Sequence, residues 1–473
     1  MKKSKLKRLV CLTALTALIL SAFSIKVSAN SAQWHWSGVS STGAMVFDED
    51  CPIQVEKEIL TFDIPRFPSN YYATAEEFLA YDAKVSAEYT FYNPSDLTIT
   101  ATLAFPFGNQ PDYANTYNEQ TGEYETATDA EKYDITVNGE PVNKKIRYTL
   151  KTNSQFNLEG DLKNLQNEYI IHSFYTPNTT VTKYTYVVGG ENKEGLIGSE
   201  VGNYYTAATA GFDWNGGDGK TKIYFPHCSS YHLQNNGVGR FGAFVRNGNH
   251  ITIYAFGEPL SEPITWQCYK NGGMKNGEEI FGLVSLISTQ TTTFESFAFE
   301  KYSEDFGISR VDWYNAVLCS FKDNINGKTN LNVIEDYAEL NSPYIERFIS
   351  NLMRWYEYEI TILPKQTIVN CVTAPIYPSI DLSYKPGIYK YVYLLSPAST
   401  WAGFKEIEII INTPYYITES TIKGFNKTEN GYTYKQNGLP TCELEFTLCT
   451  DPNPKKPTPP NIDGCRFFNL FNW

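Results

Sequence analysis

A strict alternation over residues 388–412 limits what this chain can fold into. In IYKYVYLLSPASTWAGFKEIEIIIN, tyrosines occupy every second position of the first half and isoleucines every second position of the second. A period of two in aromatic and β-branched residues is typical of strands buried on one side. The connector holds Trp401 and Gly403, a residue type that allows conformations others resist. We therefore expect two strands at a corner of a β-sandwich, with Trp401 and Gly403 as its structural residues.

The same signals recur along most of the chain. Residues 85–92 (VSAEYTFY) and 97–107 (LTITATLAFPF) alternate on either side of a polar turn at 93–96, as a hairpin or as two sequential strands of a sandwich. Asn138-Gly139 is a strong hairpin signal. The sequence predicts a mainly β fold with a small α-helical insertion, built from one or two antiparallel β-sandwich domains.

Two helical stripes interrupt the strand pattern. Ser309 is placed to cap one helix, and Ser342-Pro343 to start a second with proline in its first turn. We place the helical insertion at residues 303–355, between an N-terminal β-sandwich region at 30–302 and a C-terminal one at 356–450. Residues 451–473 form a proline-rich spacer and an aromatic tail.

The first 29 residues have the pattern of a secretory signal peptide. A cluster of five positive residues precedes an apolar run from Leu9 to Phe23, and small residues follow at 27–29. The apolar run is short for a membrane span. We expect cleavage near Ala29 and a secreted or cell-surface protein without a transmembrane span in the mature chain; the alternative is a retained membrane anchor.

Charge narrows the classes of partner. Loss of residues 1–29 removes six positive charges and takes the formal net charge from −13 to −19. An acidic surface is repelled by nucleic acid, so we expect no nucleic-acid partner. Cell-wall components, surface proteins and glycans remain open as partners.

Eight cysteines remain beyond the predicted cleavage site. An even number in an exported protein permits disulfides, but the spacing does not decide their pairing.

His227, Cys228 and His232 form the main cluster of soft metal ligands. They fall within six residues, in PHCSSYH. Zinc takes three or four ligands of these types, so the cluster is a candidate zinc site. A loop without metal is the alternative.

Asp213, Asn215 and Asp218 resemble the start of a calcium-binding loop in GFDWNGGDGK. The spacing departs from the helix-flanked pattern, because Asp218 stands where glycine is required and Tyr224 where a bidentate glutamate is required. The three residues are a candidate calcium site of a less regular kind, and the alternative is a solvated loop.

One resemblance to known proteins emerges from the strand motifs. Tyr89, Phe91, Asn93, Phe105 and Pro106 meet the pattern of strand, Asn, turn, strand and Phe-Pro that opens VIT-like (vault/inter-α-trypsin-type) β-sandwiches. The later run YKYVYLLSPASTWAGFKEIEIII is similar to a closing motif of uncharacterised exported proteins of Gram-positive bacteria, clostridia especially. The resemblance implies a secreted or surface β-sandwich of unknown function, and it supplies no catalytic residues.

The sequence carries none of the catalytic signatures GxSxG, HExxH, GxxxxGK[ST] or CxxC. It therefore favours an exported non-catalytic protein of the cell envelope or extracellular space that acts through binding or assembly, without a cofactor. One alternative is a secreted hydrolase whose carboxylates converge from separate strands. Another is a metal-binding extracellular module that uses the zinc or calcium candidates.

Overall fold

The structure is a computed structural model. It describes residues 45–46, 51–106, 111, 113, 115–118, 123–126, 132–150, 164–189, 208–216, 219–270, 278–323, 333–334, 345–350 and 352–456. The predicted signal peptide and most of the predicted tail lie outside these residues.

The strands, in chain order, are as follows: β1 (Met45–Val46), β2 (Gln54–Asp63), β3 (Lys84–Tyr92), β4 (Ile99–Pro106), β5 (Asn115–Asn118), β6 (Glu123–Thr126), β7 (Asp134–Val137), β8 (Glu140–Pro141), β9 (Lys145–Leu150), β10 (Thr180–Val188), β11 (Ala208–Trp214), β12 (Thr221–Tyr224), β13 (Ser230–Leu233), β14 (Gly239–Val245), β15 (His250–Gly257), β16 (Gln267–Tyr269), β17 (Val284–Thr293), β18 (Val333–Ile334), β19 (Leu352–Ile362), β20 (Thr367–Pro375), β21 (Ser379–Asp381), β22 (Ile388–Tyr393), β23 (Gly403–Phe404), β24 (Glu406–Asn412), β25 (Tyr416–Ser420), β26 (Asn426–Lys427), β27 (Gly431–Asn437) and β28 (Leu444–Cys449). The α-helices are α1 (Ala75–Leu79), α2 (Phe294–Ala298), α3 (Arg310–Asp323) and α4 (Ile345–Ser350), and two 3₁₀ turns span Glu304–Phe306 and Ser396–Thr400. The fold is mainly β with a small helical part, as the sequence predicted.

Three sheets form a sandwich around one core. Sheet A has nine strands in the order β26-β27-β24-β2-β3-β20-β7-β8, with β23 beside β2. Sheet B (β1-β4-β19-β9) and sheet C (β21-β22-β28-β25) share a hydrophobic core with it. Alternation directs every second side chain of β22 and β24 inward. The residues buried in this core are Tyr391, Tyr393, Ile407, Ile409 and Ile411.

Two corners carry the chain between the layers of this sandwich. From β3 to β4 it passes from sheet A to sheet B, so these are sequential sandwich strands rather than a hairpin. Asn93 holds that corner by donating from Nδ2 to the carbonyls of Leu97 (2.7 Å) and Ile362 (3.0 Å). From β22 to β24 the chain passes from sheet C to sheet A, which gives the corner predicted for residues 388–412.

Residues 151–351 are inserted between two neighbouring strands of the sandwich. β9 and β19 are antiparallel partners, and Leu150 pairs with Leu352 where the chain leaves and returns. Sequence reasoning put boundaries at residues 302 and 355 instead. It placed strands from both ends of the chain in separate regions, because alternation marks a strand without showing which strand it pairs with.

The insertion is built on the five-stranded sheet D, in the order β17-β10-β15-β12-β18. One face of sheet D packs on α2 and α3, with Tyr254 and Phe256 buried there, and Phe348 of α4 packs on Trp313 of α3. The other face packs on sheet E (β13-β14-β11-β16), with Ile253 and Ala255 buried between the two. The central strands of sheet D are therefore covered on both faces.

Local signals in the sequence were mostly confirmed. Asn138 and Gly139 have φ angles of 51° and 83° and turn β7 into β8, as a two-residue hairpin requires. Ser309 Oγ accepts a hydrogen bond from the backbone N–H of Asp312 (3.1 Å) at the start of α3.

The sequence also predicts a strand at residues 168–174 (EYIIHSF), and this prediction is wrong. The segment is not a strand, because its backbone bonds to a helix side chain instead of a ladder. Asn315 accepts from the N–H of Ile170 (2.9 Å) and donates to the carbonyl of Glu168 (3.0 Å).

Candidate functional site

Strand β17 is the most exposed long strand among those described. It has ten residues, VSLISTQTTT, and pairs on one side with β10. Seven of its residues are exposed, and they include Leu286 (47 %) and Ile287 (52 %). Within the described residues no strand pairs with its other edge.

The covering layers of sheet D reach Val284 at the start of β17 but leave most of the strand exposed. Tyr184 of β10 is buried towards sheet E, but its β17 partner Thr289 is exposed. On the helix side, Val181 is buried, but its partner Thr292 is exposed. Most of β17 is therefore exposed on both faces, and no strand in the described part of the chain covers its second backbone edge.

A depression of about 540 Å³ lies beside the end of β17. Its lining combines hydroxyl and amide groups, an ion pair and two aromatic rings, from Lys183, Tyr254, residues 290–292, Ser296, Phe297 and Glu300. This volume is within the range of ligand sites. The mixed donors and acceptors suit the main chain and polar side chains of a peptide.

The charges in this depression balance each other. Lys183 Nζ lies 3.3 Å from Glu300 Oε1. Burial lowers the pKa of Lys183, but the nearby Tyr254 and Glu300 raise it more, so the ammonium stays protonated at neutral pH. Burial raises the pKa of Tyr254, which keeps its hydroxyl neutral. The depression therefore favours a ligand without a large net charge.

The other edge strands of the described sheets are short or bear protective residues. They are two to six residues long. β8 contains Glu140 and Pro141, and β25 contains Glu419 beside a bulge. Short length, charge, proline and bulges are the devices by which proteins prevent pairing at sheet edges. β17 has one of these devices, a bulge at Ile287, and six regular residues follow it.

Sequence reasoning did not single out β17. The available signal was a ten-residue run without charge or proline, rich in threonine. The missing information was its position at an uncovered edge.

The candidate zinc residues lie around the start of β13. Cys228 Sγ contacts the carbonyl oxygen of Ser230 (3.3 Å), and His232 pairs in register with Arg240 of β14. Within the described ranges, no group of three or more His, Cys, Asp or Glu residues is placed to hold a metal ion. The zinc site at His227, Cys228 and His232 stays a prediction, which elemental analysis of the native protein checks.

The candidate calcium residues are partly described. Asp213 forms an ion pair with Arg240, with Oδ1 2.7 Å from Nε and Oδ2 2.9 Å from Nη2. This hydrogen bond lowers the pKa of Asp213 despite partial burial. Asp218 lies outside the described residues. The calcium site at Asp213, Asn215 and Asp218 also stays a prediction, although Arg240 already occupies the Asp213 carboxylate.

Trp401 and Gly403 lie at the second sandwich corner. Trp401 is 5 % exposed, and its ring lies 4.3 Å from that of Phe91. Gly403 pairs with Gln54 at the start of β23 and has no positive φ angle. A Cβ atom there would meet the Gln54 side chain at an ordinary 3.5 Å. The corner therefore needs the bulk of Trp401 but not the conformational freedom of Gly403.

A carboxyl group is sealed inside the sandwich core. A bulge at Glu56 shifts the alternation of β2, so that Glu58 points inward opposite Tyr89 and is 1 % exposed. Neither carboxyl oxygen has a hydrogen bond of standard geometry. Burial raises the pKa of Glu58 to about 7, although the Tyr89 hydroxyl opposes the shift. Glu58 is therefore closed to substrate, and burial makes its carboxyl keep the proton to a higher pH than an exposed glutamate does.

Carboxylates do converge from separate elements at one buried place. Arg147 of β9 donates to Asp312 of α3 at 2.8–3.0 Å and also to Glu357 of β19. Its side chain is 2 % exposed. Both carboxylates are thus neutralised by a buried guanidinium that joins the insertion to the sandwich. Asp312 and Glu357 therefore have a structural role as partners of Arg147. They do not provide the catalytic site that the hydrolase alternative requires.

Glu406 and Glu408 are two positions apart on β24 and lie on the face of sheet A opposite the sandwich core. Lys57 Nζ lies 2.7 Å from Glu408 Oε2 and 3.7 Å from Glu406 Oε1, and Lys435 also reaches Glu406. These carboxylates face solvent and lysine rather than a cleft.

Cys371, Cys442 and Cys449 are free thiols. No helix in the described part of the chain is long and apolar enough to cross a membrane.

Comparisons with known proteins place the chain in no family. No protein-family model and no curated protein matches it. Among solved structures, it is similar to a candidate nutrient-binding protein from Legionella pneumophila, with a TM-score of 0.32 and 10 % identity. The match covers 87 % of this chain and 72 % of the other. A likeness this low carries no argument about fold or function.

Proposed function

We propose that this is an exported, non-catalytic protein of the cell envelope or extracellular space that acts through binding or assembly. Its binding surface is β17, and its partner is an extended polypeptide segment that adds a strand to sheet D. The observation that carries the proposal is a ten-residue edge strand exposed on both faces.

Strand addition explains why this edge is open. The edge of β17 that pairs with no described strand offers a partner main chain a row of hydrogen bonds, and alternate side chains provide selectivity. Leu286 and Ile287 supply apolar contact near one end, and the depression supplies polar contact near the other. A bound segment would thus be recognised along its whole length.

Selection from a library of random decapeptides tests this function. Adjacent strand residues direct their N–H groups to opposite edges of the strand. One of the two variants Thr289→Pro and Gln290→Pro therefore removes a hydrogen-bond donor from the edge without a described partner. The other removes a donor from the ladder with β10. The variant that keeps the wild-type circular dichroism spectrum is the edge variant. We expect wild type to enrich uncharged, β-prone peptides and the edge variant to enrich none.

Equal enrichment by both proteins would overturn strand addition at β17. Thr428→Lys, an exposed residue of another sheet region, is a control expected to bind as wild type does. N-terminal sequencing of protein recovered from the cell surface or medium tests export, with Asn30 as the expected first residue.

A further inference from the structure

β17 has little protection against pairing with another strand, and the first strand available to it is β17 of another copy of the same chain. Every molecule presents the same edge, so an edge open to any partner strand is open to another copy. The regular part of β17, residues 288–293, is STQTTT and carries no charge. Two such edges therefore meet without like charges opposite each other, although the whole chain carries −13.

We propose that the strand added to β17 is β17 of a second copy, in an antiparallel, two-fold symmetric dimer. This rests on the proposed function, because it requires β17 to accept a strand. A two-fold axis perpendicular to the sheet keeps the helix side of both copies on one face. Sheet D then continues through the interface into its copy.

Symmetry fixes which side chains meet. Opposed residues of an antiparallel pair lie on the same face, and Thr289 and Thr291 both lie on the sheet E side because they pair with Tyr184 and Thr182 of β10. Pairing centred on Gln290 sets Thr289 against Thr291 of the copy. Pairing centred on Thr291 sets that residue against itself. Threonine pairs across strands are favourable in both registers.

The test uses charge swaps at these two positions. Thr289→Lys/Thr291→Lys places like charges across the axis in either register, and so does Thr289→Glu/Thr291→Glu. We expect wild type to be a dimer by sedimentation or light scattering, and each double variant to be a monomer at the same concentration. An equimolar mixture of the two variants should recover the dimer mass, because lysine then faces glutamate.

Three results would overturn the dimer: wild type that stays monomeric up to its solubility limit, variants as dimeric as wild type, or a mixture that stays monomeric. Thr428→Lys and Thr428→Glu are matched controls and should leave the mass unchanged. If wild type is monomeric but still enriches library peptides at β17, the second-copy proposal fails and the binding function stands. If neither peptides nor copies bind, the binding function fails as well.

Discussion

Sheet A and sheet D end in opposite ways. Sheet A ends in β26 and β8, which are two residues each, and β8 carries Glu140 and Pro141. Sheet D ends in β17, which has ten uncharged residues. Both sheets bury their central strands on at least one face. Among the described strands, the sandwich thus ends in short or protected edges, and the insertion ends on one side in a long, uncharged edge.

This comparison separates two kinds of substitution. Changes inside the closed sandwich should alter the free energy of unfolding and leave association through β17 intact. Changes on β17 should do the reverse.

Trp401→Ala should have the largest effect. The buried ring fills the corner against Phe91, and its removal should lower the free energy of unfolding by about 3–5 kcal/mol. Chemical denaturation measures this. Gly403→Ala is the control two residues away, expected to change stability by less than about 0.5 kcal/mol, since a Cβ fits there. A Trp401→Ala protein as stable as wild type would show that the corner does not close the sandwich.

Glu58→Gln should change how stability depends on pH. The folded-state pKa of Glu58 is raised from 4.5 to about 7, so the folded protein binds the proton more tightly than the unfolded chain. Its contribution is therefore fully present below about pH 4.5 and is lost as pH rises through 7, a fall of about 3 kcal/mol. Glutamine does not titrate. The stability of the variant relative to wild type should therefore be higher at pH 8 than at pH 4.5.

Denaturation of both proteins across this pH range measures the difference. Glu56→Gln, in the same strand, is the control, because Glu56 is partly exposed and pairs with Lys405. If the free energy of unfolding depends on pH in the same way for wild type and Glu58→Gln, the carboxyl of Glu58 is solvated. The sandwich core would then be open to water at this position.

Thr289→Lys/Thr291→Lys should have the smallest effect on stability. Both side chains are exposed, and surface substitutions usually change the free energy of unfolding by no more than about 0.5 kcal/mol. The same variant should lose the dimer. Thermal unfolding at a concentration below the dimer dissociation constant isolates the monomer. A large loss there would show that β17 is part of the closed core and would remove the contrast between the two sheets.

Local patterns predicted much of the fold. The alternation at 388–412 gave two strands and their buried faces, and Asn138-Gly139 gave its hairpin. The alternation in β2 was harder to interpret, because the bulge at Glu56 moves Glu58 to the inside. The segment at 168–174 failed because its backbone partner, Asn315, is far away in sequence. The candidate site was not predicted, because every residue type in β17 is ordinary.

The sequence by itself determined the secondary structure type, the inward faces of the strands and the residues of the Trp401 corner, because these depend on side chains a few positions apart. Only the tertiary structure decided that residues 151–351 are inserted between β9 and β19 and that β17 lies at an uncovered edge. Strand pairing and exposure depend on contacts between residues distant in sequence. The same ten residues could form an ordinary central strand if another strand paired with their second edge. Their position at the end of sheet D makes them an exposed surface instead.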